Sequence, residues 1–234
     1  DAAVSMTDSA TTFVLHGPDS ERIEASCPLT GLVNVQNAAL ALVMTMRAGV
    51  PAETAVAALA SAHNIPGRMQ RITRRDGVRG TCIVDFAHTP DAMELALKAI
   101  RQITPGRLIV VFGSDGDRDR GKRPMLGEVA ARLADVLIVT DENPRSEDPR
   151  TIRDAILSGV RSVRPDLADV EEITTWRGDA VRRGVEICGP QDTVVVTGKG
   201  HEPFQEVAGD FIRYNDAPVM RQAAEAKWGP VTPA

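Results

Sequence analysis

Short apolar runs alternate with amphipathic stretches along most of the chain. Four of these runs are strand-length and rich in β-branched residues, and they are predicted to be strands: Thr81–Phe86, Arg107–Phe112, Val136–Thr140 and Thr193–Thr197. Apolar runs of this kind are typical of strands that are buried on both faces of a parallel sheet. Stretches with helical apolar spacing lie between or after them, at Pro90–Arg101, Pro124–Ala134, Pro149–Val163, Gly178–Cys188 and Asp216–Lys227. The alternation predicts an α/β fold with a doubly wound, mostly parallel sheet.

The residues before about position 67 follow a different pattern. Two weak strand candidates, Thr11–Leu15 and Arg22–Ala25, precede two alanine-rich segments with helical spacing, Val35–Ala48 and Pro51–Ala62. Turn-forming residues then fill the segment His63–Arg68, as is common at a domain boundary. We therefore predict two domains, with residues 1–67 forming the tail end of one and residues 68–234 forming the other.

The overall composition excludes several classes of function. A net charge of −5 leaves no basic field for nucleic acid or an anionic membrane, and an aromatic content of 3% is too low for base-stacking platforms. The apolar runs are too short for a membrane span, and residues 1–20 lack a signal-peptide pattern. Three isolated cysteines without metal-binding spacing fit a reducing compartment. We expect a cytoplasmic protein that binds no nucleic acid, does not insert into membranes and has no metal ligands of its own.

Polar residues of the kind that bind ligands follow each of the four predicted central strands. The segments are DFAHTP at 85–90, GSDGDRDRGKRP at 113–124, DENPRSEDP at 141–149 and GKGHE at 198–202. The carboxyl ends of parallel strands share one edge of a sheet, and ligands bind at that edge. The four segments are therefore predicted to converge on one crevice.

The first segment contains Asp85, His88 and Thr89. Asp85 interrupts an apolar strand, which suggests that its carboxylate binds a group such as a ribose hydroxyl. His88 is compatible with either an ordinary loop histidine or a site residue. Thr89 directly precedes a helix that starts with proline and is best explained as its N-cap, and Asp148 has the same position before Pro149.

The second segment nearly matches a phosphate-binding P-loop, since Gly116, Gly121 and Lys122 have the required spacing between a strand and a helix. Two features count against this interpretation. Arg123 replaces the Ser or Thr that would hold Mg²⁺, and two aspartates would bring carboxylates against phosphate oxygens. The alternating Arg and Asp residues are instead expected to orient one another and to leave one guanidinium group available for an acidic ligand.

The third and fourth segments together combine an amide, a guanidinium and several carboxylates. A type I turn would account for Asn143 and Pro144, but not for Arg145 with Glu142 and other acids around it. In GKGHE, two glycines allow the backbone to approach a ligand, and Lys, His and Glu present different charges. Arginine binds a carboxylate through a bidentate fork, and acids bind an ammonium group. The crevice is therefore predicted to bind a zwitterion.

These motifs, with GLVNVQNAALAL and HNIPGRMQ upstream, resemble those of the Mur ligases of peptidoglycan synthesis, most closely the diaminopimelate-adding (MurE) type. The resemblance spans nearly everything from residue 31 onward. It implies a three-domain, ATP-dependent ligase of cell-wall biogenesis, cell shape and cell division. Residues 1–67 would be the C-terminal part of the central α/β ATP-binding domain, and residues 68–234 the Rossmann-like C-terminal domain that binds the amino acid. The chain would then be part of a longer enzyme and inactive as a ligase by itself.

The resemblance also implies a reaction and a set of site residues. ATP would phosphorylate the D-glutamyl γ-carboxylate of UDP-N-acetylmuramoyl-L-Ala-D-Glu, and the amine of meso-diaminopimelate would attack the acyl phosphate. The ligands of Mg²⁺, including a carbamylated lysine, would mostly lie upstream, and no catalytic residue is assigned. Glu142 stands where the family often has Asp. The diaminopimelate site maps onto Arg118, Glu142, Asn143, Pro144, Arg145, Gly198 and Glu202, and the nucleotide contacts map onto Asn37, Arg68, Asp85 and His88.

The charges at the crevice favour diaminopimelate over lysine. The distal end of diaminopimelate carries an ammonium group and a carboxylate, whereas lysine carries only the ammonium group. Arg145 can pair with that carboxylate while Glu202 receives the ammonium group, and lysine would leave Arg145 facing another cation. The sequence leaves open a lysine-adding Mur ligase, a relative in folylpolyglutamate or cyanophycin synthesis, and a non-catalytic module that binds a small zwitterion or nucleotide.

Overall fold

The computed structural model describes residues 4–7, 10–17 and 21–231. The chain divides into two compact units, Asp1–Ile65 and Pro66–Ala234. The first unit contains an antiparallel sheet and two helices: β1 (Val4–Met6), β2 (Thr11–His16), β3 (Arg22–Cys27), α1 (Leu32–Arg47) and α2 (Ala52–Ala60). The two weak strand candidates are thus confirmed as β2 and β3, and both predicted helices form.

The second unit contains the predicted alternation of strands and helices. Its strands are β4 (Gln70–Thr73), β5 (Thr81–Asp85), β6 (Leu108–Phe112), β7 (Val136–Val139), β8 (Val170–Glu172), β9 (Thr193–Thr197), β10 (Phe204–Val207) and β11 (Asp210–Arg213). Its helices are α3 (Pro90–Gln102), α4 (Lys122–Leu133), α5 (Pro149–Val163), α6 (Arg177–Ile187) and α7 (Asp216–Trp228). The large sheet has the order β4-β5-β9-β6-β7-β8, in which β4 is antiparallel to β5 and the other neighbours are parallel. The predicted α/β class with a mostly parallel sheet is confirmed.

The central strands are largely apolar because both faces of the sheet are covered. In β6, Leu108, Val110 and Phe112 join a core that includes α3, α4 and α5. Ile109 and Val111 of the same strand join a second core that includes α6 and α7. With both faces buried, the loops at the carboxyl ends of the strands are the part of the sheet that can meet a ligand.

Two of the predicted helix starts have the expected caps. The Thr89 hydroxyl accepts a hydrogen bond from the backbone N–H of Ala92 at 3.3 Å, and the Asp148 carboxylate accepts one from Arg150 at 2.9 Å. Both side chains satisfy backbone donors that have no partner within the helix. Within the described ranges, no helix combines the length and apolarity needed to cross a lipid bilayer.

The start of α4 differs from the prediction. This helix begins at Lys122 rather than at Pro124. The Asp119 carboxylate accepts a hydrogen bond from the Gly121 backbone N–H at 2.8 Å and supports the turn just before the helix. Proline is tolerated in the first turn of a helix, where its missing N–H has no helical acceptor.

Four strands of the second unit were not predicted. The edge strands β4 and β8 are short, and β8 is only partly buried. The hairpin formed by β10 and β11 is largely exposed, so it lacks an apolar pattern. It turns at Ala208 and Gly209, which both have positive φ angles, as a two-residue hairpin turn requires.

Candidate functional site

The four polar segments lie at one edge of the large sheet. Strands β5, β9, β6 and β7 are adjacent and parallel, so the segments that follow them share that edge. In space, the segment at 198–202 lies between the segments at 85–90 and 113–124, and the segment at 141–149 follows. The strand order therefore confirms the predicted convergence.

Asn143 lies at the centre of the contacts between these segments. Its Nδ2 donates to Asp115 Oδ1 at 3.0 Å and to Glu202 Oε2 at 3.2 Å. Its Oδ1 accepts from Lys199 Nζ at 2.7 Å and from the backbone N–H of Glu206 at 3.2 Å. A side-chain amide has two donor hydrogens and two acceptor lone pairs. Neighbouring groups of the chain therefore occupy the whole hydrogen-bonding capacity of this buried amide.

Arg145 has a left-handed backbone, with φ +55°. Its backbone N–H donates to Glu206 O at 3.0 Å, and its carbonyl accepts from Ala208 at 2.7 Å, so the β10 strand and turn hold this conformation. The guanidinium Nε lies 3.2 Å from the Glu206 carboxylate, and NH2 lies 3.8 Å from Asp115 Oδ2. Among the described residues, none accepts a hydrogen bond from its NH1 or NH2. These two terminal nitrogens therefore have hydrogen bonds left to donate, although the side chain is only 16% exposed.

The Arg–Asp pairing expected within the second segment is wrong. Arg123 is buried and donates to the Glu147 carboxylate of the third segment at 3.0 and 2.8 Å. These hydrogen bonds, together with one from the Asp117 backbone, lower the pKa of Glu147 to about 2. The Asp117 carboxylate in turn accepts from the hydroxyl of Ser146 at 2.8 Å. The acidic partner of Arg123 thus comes from the next segment, and the two segments are linked.

Glu142 and Gly198 are in close contact. Glu142 is 3% exposed, and a Cβ atom added to Gly198 would lie 2.4 Å from Glu142 Oε2. Burial raises the pKa of Glu142 to about 8, and the carboxylate of Asp115 acts in the same direction. The positive charges of Arg177 and Lys199 oppose this shift. At neutral pH this carboxyl group is therefore mostly protonated.

The residues mapped to nucleotide contacts in the second unit lie around Phe86. The Asp85 carboxylate accepts from the backbone N–H groups of Met69 at 2.7 Å and Ala87 at 2.9 Å, and burial raises its pKa. The ring Nδ1 of His88 lies 2.9 Å from Phe86 O. These backbone bonds explain why an acid ends the apolar strand β5.

Arg68 and Asn37 complete the set mapped to the nucleotide. Arg68 is exposed, and its guanidinium group lies 4.3 Å from the centre of the Phe86 ring. Asn37 occupies an exposed position of α1 in the first unit.

Two further residues mapped to the amino-acid site differ in exposure. Arg118 is exposed, and its NH1 donates to Asp117 O at 3.2 Å. Pro144 is buried, and its carbonyl would clash with a Cβ atom on Gly116. Within the described parts of the chain, no three His, Cys, Asp or Glu side chains are arranged to hold a metal ion.

An ion pair behind the site was missed by the sequence analysis. Arg177 and Asp216 are both completely buried and are joined by two hydrogen bonds of 2.9 Å. Arg177 also donates to the carbonyl groups of Thr197 at 2.8 Å and Asp141 at 3.3 Å, where β9 and β7 end. Burial opposes the charge of Arg177, but Asp216 outweighs it and raises the pKa of the guanidinium group. In the sequence, nothing distinguishes Arg177 from an exposed helix arginine.

Comparison with known proteins identifies the family. A family model described as "Mur ligase, glutamate ligase domain" matches residues 67–200. The chain is 43% identical over 230 residues to the UDP-N-acetylmuramyl-tripeptide synthetase of Leifsonia xyli subsp. xyli, covering 95% of this chain and 43% of that protein. It is 45% identical over 201 residues to the UDP-N-acetylmuramoyl-L-alanyl-D-glutamate–2,6-diaminopimelate ligase of Chelativorans sp. strain BNC1, covering 86% and 40%, respectively.

Comparison of the fold identifies the same family. A solved structure of a UDP-N-acetylmuramoyl-L-alanyl-D-glutamate–2,6-diaminopimelate ligase has a TM-score of 0.68 and 35% identity, covering 96% of this chain and 45% of that one. The chain thus spans less than half the length of the relatives that it matches. The matched sequence model and the matched fold together show that the chain belongs to the Mur ligase family and that its second unit contains the C-terminal domain of that family.

Proposed function

We propose that the chain is part of an ATP-dependent ligase that joins meso-diaminopimelate to the D-glutamyl residue of UDP-N-acetylmuramoyl-L-Ala-D-Glu in cytoplasmic peptidoglycan synthesis. The names of several relatives support this substrate pair. The observation that carries the proposal is the guanidinium group of Arg145, whose NH1 and NH2 have no hydrogen-bond acceptor among the described residues and whose neighbour Asp115 is linked through Asn143 to Glu202. One cation and nearby carboxylates are the groups that a zwitterion requires.

The arrangement of the site suggests how diaminopimelate would bind. The distal carboxylate would accept two hydrogen bonds from NH1 and NH2 of Arg145, and the distal ammonium group would donate to Glu202. The left-handed backbone of Arg145 costs about 1–3 kcal/mol for a non-glycine residue, and such strain is often found at functional sites. Arg118 would contribute a second, exposed guanidinium group, while Glu142, Asn143, Pro144 and Gly198 would form the wall around the ligand.

The nucleotide would contact Arg68, Asp85 and His88 of the second unit. The Arg68 side chain fits this role because it is exposed and lies over an aromatic ring, so its N–H groups remain available for phosphate. ATP would supply the phosphoryl group that activates the acceptor carboxylate. We place the ligands of Mg²⁺ mostly outside the described residues, as the resemblance to the family implies.

A lysine-adding ligase is the second candidate. One of the most similar relatives is named only as a tripeptide synthetase, which leaves its amino acid unspecified. Lysine has no distal carboxylate, so it would place an ammonium group near Arg145 without a counterion. Loss of a buried charge pairing costs about 2–5 kcal/mol. The site is therefore expected to select diaminopimelate by a factor of about a hundred.

The decisive experiment measures phosphate release by the complete polypeptide encoded by the gene. The assay contains ATP, Mg²⁺ and the UDP-N-acetylmuramoyl dipeptide, with either meso-diaminopimelate or L-lysine as the amine. We expect kcat/KM to be about a hundredfold higher with meso-diaminopimelate. Equal or higher efficiency with lysine would contradict the assignment of the amino acid, and binding of a zwitterion without phosphate release would favour a non-catalytic module.

A further inference from the structure

Lys199 is a completely buried lysine in the segment that follows β9. Its side chain is 0% exposed. Lysine is almost never fully buried unless it is paired, because removing an ammonium group from water is costly. The position of Lys199 directly after Gly198, in a glycine-containing segment, would ordinarily predict an exposed side chain. Its burial therefore requires an explanation.

The ammonium group of Lys199 joins two of the segments at the site. Its Nζ donates to Asn143 Oδ1 at 2.7 Å, in the segment after β7. It also donates to Glu202 Oε2 at 3.0 Å, in the segment after β9. Asn143 Nδ2 donates to the same Oε2 atom at 3.2 Å. Lys199, Asn143 and Glu202 thus form a closed ring of hydrogen bonds.

We propose that Lys199 is a positioning residue, whose buried ammonium group sets the orientation of Glu202 that accepts the distal ammonium group of the amino-acid substrate. This proposal rests on the proposed function and extends it to a residue that makes no contact with the substrate. The side chain of Glu202 is 39% exposed, so without a fixed partner it could adopt several rotamers. The contact with Lys199 fixes the carboxylate in one of them.

The geometry of the ring leaves one oxygen of Glu202 for the substrate. Its Oε2 atom is shared by Lys199 and Asn143. Within the described residues, Oε1 accepts no hydrogen bond, and a carboxylate oxygen can accept bonds from an ammonium group. The substrate would therefore donate to Oε1 while Lys199 retains Oε2.

The surrounding charges allow a second cation to bind beside Lys199. Asp115 contacts Asn143 directly, and Glu206 lies beside Arg145. Together with Glu202, these carboxylates reduce the repulsion that a substrate ammonium group would otherwise meet from Lys199. Lys199 thus orders Glu202 without excluding a positively charged ligand.

The test is a double-mutant cycle in the complete polypeptide, with Lys199→Met, Glu202→Gln and the double variant. Methionine has a similar length to lysine but carries no charge and donates no hydrogen bond. The exposed Lys98→Met is the matched control, because that side chain forms an ion pair with Glu94 one helical turn away. The quantities measured are kcat, KM for meso-diaminopimelate and KM for ATP.

Loss of a charge-assisted hydrogen bond of this kind is expected to raise KM for meso-diaminopimelate about tenfold or more in Lys199→Met. We expect kcat at saturating meso-diaminopimelate and KM for ATP to stay within about twofold, as they should in Lys98→Met. If Lys199 acts through Glu202, the double variant will have no higher KM than the more impaired single variant. Multiplicative effects, or a lower kcat with unchanged KM, would contradict the positioning role.

A second measurement uses the unmodified protein and covers the case in which Lys199→Met does not fold. In a crystal structure with meso-diaminopimelate, Lys199 Nζ should remain within hydrogen-bonding distance of Asn143 and Glu202, with the ligand ammonium group at Oε1. A direct contact between Lys199 and the ligand would overturn the proposal. If the unmodified protein does not use meso-diaminopimelate, the proposed function fails; if it and Lys199→Met use it with equal KM, only the role of Lys199 fails.

Discussion

Glu142 and Gly198 approach each other so closely that a side chain at position 198 would overlap the Glu142 carboxyl group. The added Cβ atom would lie 2.4 Å from Oε2, and Gly198 has φ +114°, a conformation that L-residues rarely adopt. The two residues belong to the segments that follow β7 and β9. The contact therefore links the segments that carry Arg145 and Glu202.

Replacement of Gly198 by alanine should separate these segments. We expect Gly198→Ala to lower the free energy of unfolding by more than the roughly 1–3 kcal/mol that a strained backbone costs, because the clash adds to it. The control is Gly77→Ala, since Gly77 has φ +89° but no atom within 4 Å of an added Cβ. Urea unfolding of both variants isolates the contribution of the clash, and equal losses would show that Glu142 moves aside without cost.

The protonation of Glu142 should make stability depend on pH. The folded state raises its pKa from 4.5 to about 8, so between these values the folded protein binds more protons at this group than the unfolded chain. Its contribution to stability is present below pH 4.5 and is lost as the pH rises through about 8, with a slope of up to about 1.4 kcal/mol per pH unit.

The matched variant is Glu142→Gln, which resembles the protonated form and does not titrate. Between pH 5.5 and 7.5 we expect the unmodified protein to lose about 2 kcal/mol more of its unfolding free energy than this variant. The histidines and the other carboxyl groups titrate in both proteins, so their contributions to the unfolding free energy cancel in the difference. Parallel pH profiles for the two proteins would show that Glu142 has an ordinary pKa in the folded state.

The buried pair of Arg177 and Asp216 should be important for stability. Arg177→Met leaves Asp216 buried without its partner and removes the hydrogen bonds to the ends of β7 and β9, so we expect a loss of about 3–5 kcal/mol. The control is Arg150→Met, whose side chain is 78% exposed and pairs across one helical turn with Asp154, where about 0.5 kcal/mol or less is expected. Similar losses in the two variants, measured by urea unfolding, would contradict a structural role for the buried pair.

The sequence predicts the central strands well because they are buried on both faces, which leaves continuous apolar runs. It does not predict that β9 lies between β5 and β6, since the runs are chemically interchangeable and long-range packing decides their order. The edge strand β8 and the β10–β11 hairpin were missed because a partly exposed strand lacks that apolar signal, and β4 was missed because it is short and mostly polar although it is buried. The convergence of the four segments was predictable nevertheless, because it depends only on parallel direction.

Individual roles within the site are less predictable from the sequence. The left-handed conformation of Arg145 depends on hydrogen bonds to β10, a strand about sixty residues further along the chain. Burial of Lys199 depends on partners in two segments, and a lysine between glycines carries no local sign of it. The local sequence also fails to predict the partner of Arg123, which is Glu147 rather than an aspartate of its own segment.

Arg145→Ala should reduce the use of meso-diaminopimelate selectively. The variant removes the two donors proposed to bind the distal carboxylate, so we expect kcat/KM for meso-diaminopimelate to fall about a hundredfold in the complete polypeptide. Efficiency with L-lysine, which has no such carboxylate and meets one cation fewer, should stay equal or rise. Alanine retains the left-handed strain at this position, so any change in stability should come from the lost ion pairs with Glu206 and Asp115. The control is Arg132→Ala, on the exposed side of α4 beside Glu128. Unchanged kinetics with meso-diaminopimelate in Arg145→Ala would discard the proposed carboxylate site.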